Sequence, residues 1–176
     1  MSQPNIREII KQELVKCAKS PQYFMKKYCV VQHPMRGKVP FRLYPFQEKC
    51  LDVFEDDDKY CVILKSRQLG LSTLSAGYAL WMMTFHSDKN ILVIATKQET
   101  AKNLVAKVRV MHNELPSWLK NKCTEDNKLS LKYENGSQIK AVSSNSDAAR
   151  SEALSLLIID EAAFIDKIDE TFTAAQ

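Results

Sequence analysis

Lys65-Ser66-Arg67-Gln68-Leu69-Gly70-Leu71-Ser72 follows the apolar run Tyr60 to Leu64 and precedes the apolar run Leu74 to Phe85. That is the strand, tight loop and helix order of a loop that cradles phosphate. In the GxxxxGK[ST] pattern the sixth-place glycine lets the backbone approach phosphate oxygens, the lysine adds charge, and the hydroxyl holds magnesium. Gly70 and Ser72 take their places, but Leu71 stands where the lysine belongs. A triphosphate cradle without a cation binds poorly, so the charge has to come from Lys65, at the first place, or from Arg67, at the third.

The second chemical motif is Leu156-Leu157-Ile158-Ile159-Asp160-Glu161. Four aliphatic residues running straight into two carboxylates suit a central strand buried on both faces and ending at the sheet edge where ligands bind. Asp160 would meet Mg²⁺, directly or through water. Glu161, one residue on and pointing elsewhere, is suited to polarise a water for attack on a γ-phosphate. Two acids also suit the N-terminus of a following helix. The loop at 65–72 earlier in the same chain favours the nucleotide reading.

Elements to position these groups are legible on either side of them. Over residues 5–18, Ile6, Ile9, Ile10, Leu14 and Cys17 form one helical stripe. A short helix is expected over Pro21 to Tyr28, then a turn-rich loop from Gln32 to Lys38 that holds His33. A helix from Pro45 should turn Phe46, Cys50, Leu51 and Phe54 inward, and the acidic turn from Glu55 ends it before a strand over 60–64. Leu74 to Phe85 is apolar nearly all round and reads as a buried helix. Ile91 to Ala95 reads as a buried strand, and Thr96-Lys97-Gln98-Glu99 as a capping box opening a helix with Ala101, Leu104, Val105, Val108 and Met111 inward. Leu129, Leu131 and Tyr133, then Asn135-Gly136, then Ile139 and Ala141 read as a hairpin decorating the sheet edge. A polar loop over 143–151 feeds the strand at 154–159. The result is an α/β domain with a mainly parallel sheet, in which the loop at 65–72 and the carboxylates at 160–161 meet at strand C-terminal ends.

Smaller constellations sit around this centre. Tyr44-Pro45-Phe46-Gln47 offers an aromatic to stack on a base and an amide able to pair with adenine N6 and N7; the alternative is a helix start with Gln47 in solvent. Arg150 is placed to approach a γ-phosphate or a neighbouring subunit, and Lys97 a nucleotide or DNA; the alternative for each is a surface residue. His86 and His112 read as turn and helix-surface residues.

Composition sets bounds. Five cysteines in no CxxC or Cys/His spacing indicate neither a disulfide framework nor a zinc site, and a reducing, cytosolic setting is expected. The first ten residues lack an apolar signal core, and the Leu74 to Phe85 run is too short for a bilayer. Net charge is +4, concentrated in residues 1–50. That segment suits nucleic acid or an acidic partner, or is a solvated lysine-rich face.

With these motifs on the page, the chain resembles the N-terminal ATPase domain of a tailed-phage terminase large subunit, the DNA-packaging motor protein, over nearly all its length. The resemblance rests on Tyr44 to Gln47, the loop SRQLGLST at 66–73, the strand and helix at 91–108, and SLLIIDEAAFID at 155–166. It implies an α/β P-loop NTPase fold of the additional-strand (ASCE) type: a mainly parallel sheet flanked by helices, with an added hairpin. Residues 1–43 would be a basic helical segment and 44–176 the ATPase core. Lys65, Ser66, Arg67, Gln68, Leu69, Gly70, Leu71, Ser72 and Thr73 would bind nucleotide, Gln47 would contact adenine, and Ser72 and Asp160 would serve Mg²⁺. Glu161 would be the catalytic carboxylate. Arg67 competes with Lys65 as the phosphate cation and is also a candidate arginine finger.

The same resemblance implies ATP and Mg²⁺ as cofactors and sequence-independent contact with double-stranded DNA. Portal protein, a small subunit and further copies of the chain are the implied partners, in the host cytoplasm and transiently at the procapsid portal, with no membrane. Terminases continue past the carboxylate strand into a further strand, a lid and a nuclease, whereas this sequence ends at Gln176. The expectation is a truncated ATPase core with little activity alone. Competing readings are a helicase-like P-loop ATPase, against which Leu71 argues, and an inactive fragment that keeps only nucleotide or partner binding.

Overall fold

Asn5 and Ser20 set where the first two helices start. The Asn5 side-chain oxygen accepts the Arg7 amide and Ser20 Oγ accepts the Tyr23 amide, each satisfying a donor that a helix N-terminus leaves unpaired. They open α1 (Ile6–Lys19) and α2 (Pro21–Tyr28) in a computed structural model that describes residues 5–56, 60–143, 153–166 and 168–174. The α1 stripe packs only toward its C-terminal end: Cys17 is buried and Leu14 half-buried, while Ile6 and Ile9 stay 74% and 49% exposed. Trp81 Nε1 donates to the Cys17 carbonyl at 2.9 Å and fastens that end to the core.

The stretch expected as a loop is a hairpin of β1 (Val30–His33) and β2 (Gly37–Pro40), paired antiparallel. Its turn signals were visible in sequence; the pairing of Val31 with Val39 was not. His33 ends β1 rather than lying in a loop, and its Nδ1 accepts the amides of Met35 and Arg36 in the turn. Helix α3 (Pro45–Phe54) buries Leu51 and half-buries Cys50 and Phe54, but Phe46 lies outward, stacked on Tyr44 at 5.7 Å. Gln47 takes the inward place instead, 2% exposed. Positions 47, 51 and 54 share one helical face, and 46 falls beside it.

Helix α4 (Leu71–Phe85) is buried along most of its length, as its composition requires, against α2 and α3 on one side and α5 (Gln98–Glu114) on the other. Between α4 and α5 in sequence lies β3 (Asn90–Ala95). The capping box expected at 96–99 does not form: α5 begins at Gln98 and its N-cap, Lys97, makes no side-chain cap bond. The inner face of α5 is as expected, with Ala101, Leu104, Val105, Val108 and Met111 buried.

The sheet comprises β3, β4 (Cys123–Asp126), β5 (Ser130–Tyr133), β6 (Gln138–Ser143) and β7 (Leu156–Ile159), ordered β4-β5-β6-β3-β7. β6 and β7 both run parallel to β3, and β4, β5 and β6 are antiparallel neighbours. The predicted hairpin is real, with Gly136 at φ +83° in its turn, but it does not decorate an edge. β6 lies inside the sheet against β3, because its alternating Ile139 and Ala141 bury into the main core. Alternation along β3 splits its side chains between two faces. Ile91, Val93 and Ala95 meet the α4–α5 layer, and Leu92 and Ile94 meet Ile165 and Ile168 below. Ile168 belongs to α6 (Ile168–Ala174), which follows a 3-10 turn over Ala162–Phe164.

No strand forms over 60–64. Residues 60–66 have no regular structure, Val62 and Leu64 are 96% and 101% exposed, and Tyr60 packs on Phe172 of α6 with ring centroids 5.4 Å apart. Among the described residues, β7 is paired on one edge only, with β3. A strand exists through its ladder partner, and none of the described strands forms a ladder with 61–64.

His112 is the clearest correction to the surface reading of the helices. It is buried, with Nδ1 2.8 Å from Tyr133 Oη and Nε2 3.3 Å from Cys123 Sγ. Burial, reinforced by the Lys120 charge, lowers its pKa from 6.5 to about 4. The unfolded chain therefore takes up a proton that the folded chain refuses between those values. Stability is complete above pH 6.5 and falls as pH drops through the 6.5-to-4 window. Thermal unfolding at pH 7 and pH 5 checks this: His112→Gln should lose less stability over that interval than the unmodified chain. Equal losses would show that His112 is not the group responsible.

Candidate functional site

Gly70 is the hinge between loop and helix. It caps α4 in the left-handed conformation, φ +70°, and its carbonyl accepts the Thr73 and Leu74 amides. A Cβ at this position would lie 3.0 Å from Gln47 Nε2. Only glycine combines that backbone angle with that approach at no steric cost. The helix so started presents the free amides and positive dipole end of its first turn, where an anion is favoured.

Ser72, in that first turn, reaches across the sequence to the carboxylate strand. Its Oγ donates to Asp160 Oδ2 at 2.6 Å, across 88 residues. Asp160 is held from behind, its amide donating to the Ile94 carbonyl at 2.9 Å, so that the β3–β7 ladder continues one residue beyond β7. Both groups are partly buried. The paired oxygens suit Mg²⁺, a hard cation that takes one or two protein oxygens and keeps several waters.

Glu161 is next in line, exposed, with φ +57°. A left-handed conformation in a residue with a Cβ costs on the order of 1–3 kcal/mol and concentrates at functional positions. It breaks the strand alternation at this point and starts the 3-10 turn, with the Phe164 amide donating to the Glu161 carbonyl. Gln68, in the loop at 65–72, shares the feature at φ +62°.

The loop's cation question receives a structural answer in part. Leu71 is 7% exposed and packs into the main core. The place of the usual lysine thus points into apolar surroundings, where an ammonium group would be costly. Lys65, Ser66, Arg67 and Gln68 are all exposed, and Leu69 and Thr73 are half-buried. The geometry leaves Lys65 and Arg67 both available.

Gln47 is joined to the loop. Its Oε1 accepts the Tyr44 amide at 3.0 Å and its Nε2 donates to the Leu69 carbonyl at 3.1 Å. Neither sequence reading of Gln47, as a base reader or a solvent residue, includes this tie; its signal in the sequence is a glutamine three places after Tyr44, at the reciprocal position of a capping box. The stacked Tyr44 and Phe46 stay exposed beside it. Lys97 is exposed at the end of β3, and Arg150 lies outside the described residues. His86 caps the C-terminus of α4, with its ring edge-on to Trp81. Among the described residues no cluster of three or more His, Cys, Asp or Glu side chains is arranged to hold a metal, all five cysteines are free, and no helix is long and apolar enough to cross a membrane.

Comparison with known proteins adds an independent line. The family described as "Terminase large subunit, T4likevirus-type, N-terminal" matches residues 62–176. The fold is similar to that in the crystal structure of the HK97 bacteriophage large terminase, with a TM-score of 0.72 and 22% sequence identity. That similarity covers 90% of this chain and 35% of the HK97 chain.

Proposed function

From the premise that the chain belongs to the terminase large subunit family, in its N-terminal part, we propose that it is the P-loop ATPase portion of a phage DNA-packaging motor, hydrolysing ATP to move double-stranded DNA into a procapsid. The observation that carries this reading is the Ser72–Asp160 hydrogen bond at 2.6 Å. It brings a phosphate-loop hydroxyl and a strand-end carboxylate to one point from opposite ends of the domain. When bound, Mg²⁺ neutralises charge on the phosphate oxygens. Ser72 and Asp160 hold it in place, and Gly70 lets the backbone approach the phosphates. Glu161 takes a proton from the attacking water. Lys65 or Arg67 supplies the positive charge that Leu71 cannot. DNA would be gripped through its phosphates without regard to sequence, so binding should weaken steeply with salt. Portal, small subunit and further copies of the chain complete the motor in the host cytoplasm.

Calorimetric titration with Mg-ATP tests the site. Asp160→Ala should weaken Mg-ATP binding and leave little dependence on magnesium. If Lys65 is the phosphate cation, Lys65→Ala should lose affinity by about tenfold or more, as removal of a charge-assisted contact does. Arg67→Ala should chiefly lose turnover if it acts on transition-state charge. Unchanged affinity in all three would show that the loop does not hold phosphate in this way.

A further inference from the structure

Gln47 is a buried polar residue at the site, and the two hydrogen bonds of its amide are both directed at the protein itself. It is 2% exposed. One end of its amide is spent on the start of α3, where Oε1 accepts the Tyr44 amide at 3.0 Å, and the other on the loop, where Nε2 donates to the Leu69 carbonyl at 3.1 Å. The carbonyl of Leu69 and the amide of Gly70 belong to one peptide unit. In a trans peptide these two groups point in opposite directions, and no cis peptide occurs among the described residues. Holding the Leu69 oxygen toward α3 therefore turns the Gly70 N–H away from α3. Gly70 is exposed and stands at the N-terminus of α4, so the donor is aimed outward where an anion would sit. The contact is close on both sides, since the Gly70 position leaves only 3.0 Å between a Cβ and Nε2.

We propose that Gln47 is a positioning residue of the phosphate loop: through Leu69 it orients the Gly70 peptide, so it acts on phosphate binding independently of any nucleotide base. This rests on the reading of residues 65–72 as a phosphate loop. It is compatible with base contact, because the amide keeps one N–H and one lone pair beyond the two bonds it makes.

Gln47→Glu separates the two bonds. A carboxylate still accepts the Tyr44 amide, as glutamate does at this position of a capping box. It presents an acceptor to the Leu69 carbonyl where a donor is needed, so the loop bond is lost and the helix start retained. Gln47→Met, similar in length and apolar, removes the donor without burying a charge and serves if the glutamate variant fails to fold. The probes are Mg-ATP and magnesium tripolyphosphate, which has the phosphates and no base, titrated calorimetrically into the 176-residue chain and its variants. Loss of affinity for both probes by a similar factor, about tenfold given a buried carbonyl left without its donor, is the expected result. Affinity reduced for ATP alone, with tripolyphosphate binding equal in variant and unmodified chain, overturns the positioning role and leaves the phosphate-loop reading standing. An unmodified chain that binds neither probe overturns both.

Discussion

In a chain completed with the further strand and lid that the terminase resemblance implies, Glu161→Gln is expected to lower ATP hydrolysis by about a hundredfold or more, the usual scale of a lost general base, with Mg-ATP affinity retained. The substitution keeps side-chain volume and hydrogen-bonding length. It removes the negative charge, and with it the ability to take a proton. Affinity should survive because the carboxylate proposed to face magnesium is Asp160, which is bonded to Ser72 on the loop side, whereas Glu161 follows it with a left-handed backbone at φ +57°. That same angle supplies a control. Glu161→Gly should lose turnover equally without the destabilisation glycine ordinarily brings, since the left-handed region has no steric cost for it. Phosphate release under saturating Mg-ATP, with binding measured separately, decides the matter. Turnover of the glutamine variant near the unmodified rate would remove Glu161 from the chemistry.

Gly70→Ala should be damaging in a way that Gly37→Ala is not. The two glycines have nearly the same backbone angle, φ +70° and +69°. Alanine at either site pays about 1–2 kcal/mol for a left-handed conformation, which in a chain of this size lowers the melting temperature by roughly 2–4 °C per kcal/mol. Their surroundings differ. A Cβ at Gly37 meets nothing within 4 Å, whereas at Gly70 it lies 3.0 Å from Gln47 Nε2. The Gln47 amide is buried and bonded at both ends, so moving it away strains or breaks one of those bonds. Gly70→Ala should therefore cost nucleotide affinity by about tenfold or more, the scale of a displaced buried hydrogen bond plus a misaimed loop amide. Gly37→Ala should leave affinity unchanged. Comparable affinities in the two variants would show that the loop tolerates displacement at this point.

The contrast between these glycines is a contrast between two kinds of information. Local pattern sufficed for most elements. The period of Ala101, Leu104, Val105, Val108 and Met111 set the buried face of α5, and the Asn135-Gly136 turn set the hairpin, because periodicity and turn chemistry act within a few residues of chain. The motif residues were legible for the same reason: Gly70, Ser72, Asp160 and Glu161 were named from spacing alone.

Pairing and burial across long stretches of chain were not legible. Tyr60 to Leu64 has the composition of a buried strand, yet it lies exposed, because a strand depends on a ladder partner and none of the described strands pairs with it. His112 and Gln47 carry polar side chains that composition assigns to the surface. Each is buried because a distant partner satisfies it: Tyr133 and Cys123 for His112, Leu69 for Gln47. Leu71 shows the reverse. The sequence marked it as a missing lysine, and only the packing of α4 against its neighbours showed that its side chain belongs to the core. The amino-acid sequence thus determined the chemical groups of the site and the helices and strands that carry most of them. The tertiary structure alone decided which groups meet, because the 2.6 Å bond from Ser72 to Asp160 joins residues 88 positions apart, a distance along the chain over which local propensity carries no information.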